Sequence, residues 1–95
     1  MYNYSEMPKR KRSITPTEDM VNVDHDFLMD MCERKGFDLD LASITMGYSH
    51  SYLYTAIYDE RMAKEHLIAM SKIMNFPYKN ALVSHRKDDL YDLLF

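Results

Sequence analysis

The 95-residue chain contains a single cysteine, Cys32, and no tryptophan. One cysteine cannot form an intramolecular disulfide, and this favours a reducing compartment and predicts a cytoplasmic protein. No run approaches the roughly 18 apolar residues that span a bilayer, and no apolar segment follows the basic residues near the N-terminus as in a secretory signal. The sequence therefore predicts neither membrane insertion nor secretion.

The motifs of common enzyme classes are also missing. The sequence has no glycine-rich phosphate loop, no nucleophile elbow and no recognisable grouping of Ser, His and Asp. Its four histidines, together with Cys32, lack the paired spacing that zinc ligands use. We therefore expect a protein that binds rather than catalyses, with no metal and no other cofactor.

Charge is distributed unevenly along the chain. The net charge is −3, which by itself argues against a nucleic-acid partner. Residues 1–18, however, contain four basic and two acidic residues, whereas residues 19–95 contain eight basic and thirteen acidic ones. The four basic residues near the N-terminus are consecutive: Lys9, Arg10, Lys11 and Arg12. The sequence thus predicts a basic arm attached to an acidic body.

Beyond Asp24 the apolar residues recur at helical spacing, and no alternating pattern typical of a strand competes with it. A first helix is expected from about Asp24 to a C-terminal cap at Gly36. A second, short helix is expected after the N-cap Asp38, and it closes at Gly47.

Three further helices are expected in the second half of the chain. Ser49 is the expected N-cap of a third helix. A fourth begins near Ala63 and ends at Asn75, a residue type that tolerates the left-handed conformation. A proline favours the first turn of a fifth helix over residues 77–82.

These elements predict an all-α fold, a compact domain of five or six helices. Residues 1–18 mix Ser, Thr, Pro, Lys and Arg without apolar periodicity, and this predicts a mobile basic arm. Residues 19–83 form the expected folded domain, and residues 84–95 an amphipathic C-terminal helix or tail.

The stretch from Leu39 to Pro77 contains the most informative pattern. Two short helices are expected on either side of Gly47, which reaches positive φ at little cost, and Ser43 provides a small side chain where the helices approach. This arrangement resembles the helix-turn-helix of the Cro/C1-type family, which includes phage repressors. The residues that match the family pattern are Ser43, Gly47, Tyr48, Ser49, Ser51, Tyr52, Leu53, Arg61, Leu67, Met70, Ser71 and Met74.

The resemblance implies a lambda-repressor-like domain whose third helix enters the major groove of double-stranded DNA. It implies a sequence-specific transcriptional regulator, encoded by a phage or mobile element, that binds a short palindromic operator as a dimer. The implied contacts of the third helix are Ser49, His50, Ser51, Tyr54, Thr55 and Tyr58. The implied phosphate contacts are Arg61, Lys64 and Lys79, joined by Lys9, Arg10, Lys11 and Arg12 of the arm.

The C-terminal tail is strongly apolar. Five of its last six residues are apolar and have to be buried, either within the chain or against a second subunit. Because the DNA operators of this family commonly have two-fold symmetry, burial of the tail against a second subunit of a homodimer is one of these two alternatives. The residues concerned are Leu90, Tyr91, Leu93, Leu94 and Phe95.

A second hypothesis keeps the fold and changes the partner. The acidic first helix, the net charge of −3 and the absence of Arg, Gln and Asn from the third helix favour a protein-interaction module. Such a module would bind a host or phage protein, as an antirepressor or as an inhibitor of a host defence nuclease.

Overall fold

The computed structural model describes residues 2–10 and 20–83. Within these residues it contains four α-helices, two short 3-10 helices and one two-stranded antiparallel sheet. The α-helices are α1 (His25–Lys35), α2 (Leu39–Thr45), α3 (Tyr52–Tyr58) and α4 (Lys64–Met74). The 3-10 helices are Tyr4–Glu6 and Tyr78–Ala81, and the strands are β1 (Met20–Asn22) and β2 (Arg61–Ala63).

The prediction of an all-α domain with five or six helices is wrong. β1 pairs with β2 so that Met20 lies opposite Ala63 and Asn22 opposite Arg61. Each strand has three residues, which is too short for an alternating pattern to appear in the sequence. The fifth helix predicted over residues 77–82 is instead one turn of 3-10 helix, and its C-cap Leu82 forms an isolated β-bridge with Val23.

The predicted N-caps of α1 and α2 and the predicted C-cap of α1 are confirmed, whereas α2 ends earlier than predicted, at Thr45 with Met46 as its C-cap. The Asp24 and Asp38 side chains cap α1 and α2 by accepting hydrogen bonds from the backbone N–H groups of Phe27 and Leu41. Gly36 ends α1 with φ 69°, in the left-handed region that a residue without Cβ enters easily.

α4 ends in the same way at Asn75, with φ 60°. As a residue with a short polar side chain, Asn75 tolerates this conformation.

Residues 2–10 are packed on the helices, which differs from the mobile arm expected over residues 1–18. Tyr4 and Met7 are buried in the core with 8% and 1% of their surface exposed. The Tyr4 hydroxyl accepts a hydrogen bond from the backbone N–H of Asp38 at 2.9 Å. Two buried side chains in nine residues produce no apolar periodicity in the sequence.

At the other end of this segment, the chain binds the last turn of α2. The backbone N–H of Arg10 donates to the carbonyl of Met46 at 2.8 Å, and Lys9 Nζ donates to the carbonyl of Thr45 at 2.6 Å. Because Asp38 precedes α2, residues 2–10 contact both ends of that helix.

One core joins all the helices. Its buried side chains come from every α-helix, from the strand β2 and from the segments around Met7 and Val23, and several are methionines, which adapt to irregular space. The large side chains that are almost completely buried are Met7, Val23, Leu28, Met46, Leu53, Ile57, Met62, Leu67, Met70 and Met74. None of the helices in the described part of the chain combines the length and apolar character needed to cross a membrane.

Candidate nucleic-acid interface

The connection between α2 and α3 is a sharp turn at Gly47. Gly47 has φ 91°, which disfavours any residue with a Cβ, and a Cβ there would lie 3.4 Å from the Cβ of Arg10. The backbone N–H of Tyr48 donates to the carbonyl of Ser43 at 3.0 Å and closes the turn. The two helices expected around Gly47 are thus present as α2 and α3.

Ser43 links the two helices directly. Its side chain is fully buried, and its hydroxyl donates to the carbonyl of Leu39 at 2.7 Å. The same oxygen accepts a hydrogen bond from the backbone N–H of Leu53 at 3.0 Å. The first N–H groups of a helix have no partner within that helix, so Ser43 satisfies one of them from the preceding helix.

This contact replaces an ordinary N-cap. Ser51 occupies the N-cap position of α3, rather than the predicted Ser49, and its side chain makes no capping hydrogen bond. The Ser43 hydroxyl therefore fixes the start of α3 relative to α2.

α3 has one buried face and one exposed face. Leu53 and Ile57 point into the core and are fully buried. Tyr54 and Tyr58 are 47% and 68% exposed, and Thr55 is also exposed. No Asp, Glu, Lys or Arg occurs from residue 41 to residue 58, so the exposed face is uncharged and is composed of hydroxyl groups, rings and methyl groups.

A shallow groove of about 300 Å³ lies on one side of α3. We call it the Arg61 groove. Arg61, on β2, supplies its positive charge and Asp59 its negative charge, and the rest of its lining is polar or weakly apolar. Those remaining residues are Met20, Ser49, Ser51, Tyr52, Thr55 and Ala56.

The opposite side of α3 borders an acidic groove of about 430 Å³. Its rim has the carboxylates of Glu33, Asp38 and Asp40 together with the Tyr54 ring, and none of these carboxylates forms an ion pair within residues 2–10 and 20–83. The inner lining is apolar and is formed by Met29, Cys32, Phe37 and Leu39.

The apolar lining affects the one cysteine. Burial raises the pKa of the Cys32 thiol from 9.0 to about 12, because the thiolate would be desolvated.

An aromatic cluster supports the first turn of α3. The Tyr48 and Tyr52 rings stack with centroids 3.9 Å apart, and the His66 ring meets both edge-on. Tyr52 Oη lies 3.2 Å from His66 Nδ1. The Arg10 guanidinium lies 5.8 Å from the Tyr48 ring centroid, within the range of a cation–π contact. This cluster connects α3 to α4 and to the N-terminal segment.

The residues implied in DNA contact are divided between several surfaces. Ser49 and His50 are exposed just before α3, and Lys64 is exposed as the first residue of α4. Lys79 is exposed on the second 3-10 helix and is not among the residues that line the Arg61 groove.

Lys9 and Arg10 are exposed but held beside the turn at Gly47. The two remaining arm residues, Lys11 and Arg12, lie outside the described residues. So do the predicted dimer contacts Leu90, Tyr91, Leu93, Leu94 and Phe95.

Sequence inspection missed the acidic groove. It predicted an acidic first helix, but it assigned no role to Asp38 beyond capping and none to Asp40. The signal was present as two aspartates on either side of Leu39, at the start of a helix whose first residues line the same groove as α1.

Within the described ranges, no three residues among His, Cys, Asp and Glu lie close enough together to hold a metal ion. Compared with family models, with curated proteins and with solved structures, the chain matches none of them.

Proposed function

We propose that this protein binds double-stranded DNA through the exposed face of α3 and acts as a sequence-specific regulator of transcription. The observation that carries the proposal is the uncharged, hydroxyl-rich face of a helix that Ser43 and Gly47 hold beside α2. Hydroxyl groups donate to phosphates and to base edges, and an uncharged face does not repel a polyanion. The sequence resemblance to the Cro/C1 family points to the same use.

The charges around α3 indicate on which side of the helix the DNA backbone is expected. The three carboxylates of the acidic groove repel phosphate, so the DNA backbone is expected on the other side, along the Arg61 groove. Arg61 and Lys64 are the cations next in sequence to α3, and Arg10 lies beside the turn that precedes it. We assign the phosphate contacts to these three residues.

Fluorescence anisotropy with labelled duplexes of random sequence tests DNA binding directly. Affinity should fall steeply as salt rises from about 50 to about 200 mM, because each phosphate contact releases condensed counterions. Absence of binding even near 50 mM salt would contradict the proposal.

Substitution of the assigned cations gives a sharper result. The Arg61→Ala and Lys64→Ala variants should bind all sequences more weakly, and each should reduce the slope of log K against log salt by about 0.9. Lys72→Ala is the matched control, because Lys72 is an exposed lysine of α4 outside both grooves of α3. An equal loss in the control would indicate a general effect of net charge.

The acidic groove favours a second candidate, a module that binds a basic protein. Its carboxylates form no ion pair with any residue that the structure describes, and they surround an apolar floor and an exposed tyrosine ring. This combination accommodates lysine or arginine side chains of a partner. Under this hypothesis the acidic groove is the binding surface, and the face of α3 is only its border.

One double variant, Glu33→Gln with Asp40→Asn, separates the two candidates. If the protein binds DNA, loss of two nearby negative charges should raise DNA affinity a few-fold at about 50 mM salt and much less at about 200 mM. If it binds a basic protein, capture of that protein from nuclease-treated lysate should be lost. Glu6→Gln with Glu65→Gln is the charge-matched control, because Glu6 and Glu65 line neither groove of α3.

A further inference from the structure

The exposed face of α3 lacks the side chains that most often identify bases. Arginine, lysine, asparagine and glutamine make the bidentate contacts that distinguish guanine and adenine, and none of them occurs from residue 49 to residue 58. If this helix discriminates between sequences, it has to use contacts of another kind.

The apolar groups that α3 exposes are suited to a different feature of the major groove. Tyr54 and Tyr58 are one helical turn apart and are 47% and 68% exposed. Thr55, which carries a methyl group, is exposed on the adjoining side of α3 that lines the Arg61 groove. Thymine is the base that presents a methyl group in this groove, and apolar side chains recognise it by contact.

We propose that Tyr54, Thr55 and Tyr58 select DNA sites by burying thymine methyl groups, so that the preferred sites contain A·T pairs where the middle of α3 lies. This inference rests on the proposed DNA-binding function. The hydroxyl groups of the same three residues then bind phosphates or base edges without strong preference, and the methyl contacts supply the discrimination.

Replacement of thymine by uracil tests the inference, because it removes the methyl group and keeps the base pair. A preferred duplex is first selected from a random library, and its thymines are then changed to deoxyuridine one at a time. Affinity should fall about fourfold for each contacted methyl, the factor for burial of one CH2-sized group. Uracil at thymines outside the α3 footprint should leave the affinity unchanged.

The Thr55→Ser variant identifies the protein side of the contact. It removes one methyl group and retains the hydroxyl, so its preference for thymine over uracil should shrink at one position of the site. Thr45→Ser, on α2, makes the same chemical change away from the exposed face of α3 and should retain the full preference.

The outcomes separate the two levels of the proposal. Equal affinity for thymine and uracil duplexes, or selected sites without A·T pairs, would overturn the methyl contacts while leaving DNA binding intact. Failure to bind any duplex would overturn both.

Discussion

Replacement of Ser43 by alanine removes one buried hydroxyl that serves both α2 and α3. The variant deletes the acceptor for the backbone N–H of Leu53 and the donor to the carbonyl of Leu39. The two losses are unequal. By α-helical geometry the Leu39 carbonyl also accepts from the backbone N–H of residue 43, whereas the N–H of Leu53 lies in the first turn of α3 and has no partner within that helix.

The cost is set mainly by the orphaned N–H group of Leu53. A buried donor without a partner costs about 1–3 kcal/mol, and the higher helix propensity of alanine returns roughly 0.5 kcal/mol. The free energy of unfolding should therefore fall by roughly 1.5 kcal/mol. For a domain of this size, that decrease lowers Tm by roughly 6–12 °C.

Circular dichroism at the helical minimum, followed during urea and thermal unfolding, measures this change. Ser51→Ala is the matched control, because it removes a serine hydroxyl at the N-cap of α3 that makes no capping hydrogen bond. The control should change the free energy of unfolding by only a few tenths of a kcal/mol, well below an ordinary N-cap loss of about 1 kcal/mol.

Two results would refute the reasoning. A Ser43→Ala variant as stable as the original chain would show that the Leu53 N–H finds another partner or water. A Ser51→Ala variant that loses as much stability as Ser43→Ala would show that the ordinary N-cap holds the start of α3.

Three further predictions concern the rest of the fold. Met7→Ala should lower the free energy of unfolding, measured in urea, by about 2–5 kcal/mol, because the side chain is fully buried. Glu6→Ala, at an exposed position, should leave it almost unchanged, and equal effects of the two variants would contradict the anchoring of residues 2–10. Gly36→Ala should lower the free energy of unfolding by about 1 kcal/mol. The loss comes from left-handed backbone strain alone, since a Cβ there meets no atom within 4 Å, and a variant more stable than the original chain would contradict this prediction. Cys32 should resist thiol reagents at pH 8 until the chain unfolds, and rapid labelling of the folded protein would contradict its burial. Because the pKa of Cys32 is raised from 9.0 to about 12, its contribution to the free energy of unfolding is complete below pH 9 and is lost as pH rises toward 12.

The helix ends were the most predictable part of the fold. Asp38, Gly36 and Asn75 each act through a local rule, a capping side chain or a left-handed residue, that depends only on neighbouring residues. The position of Ser43 between two helices was also predictable from its size, although its hydrogen bond to Leu53 was not.

The features that sequence inspection missed depend on distant contacts. β1 and β2 pair residues that are about 40 positions apart, and neither strand is long enough to show a pattern of its own. Residues 2–10 are fixed by Tyr4 and Met7, two side chains in a segment whose composition otherwise resembles a disordered arm. The acidic groove combines residues of α1 with the start of α2, and their arrangement in space does not follow from local sequence.

The small sheet has a consequence for the thermodynamics of association. The backbone N–H of Val23 donates to the carbonyl of Glu60, directly after α3, and β2 continues from there into the pairing with β1. The end of α3 is thereby ordered during folding, so its backbone loses no further conformational entropy when a ligand binds. Calorimetry of complex formation should accordingly give a heat-capacity change that matches the apolar area buried in the interface. Folding coupled to binding would make that change larger.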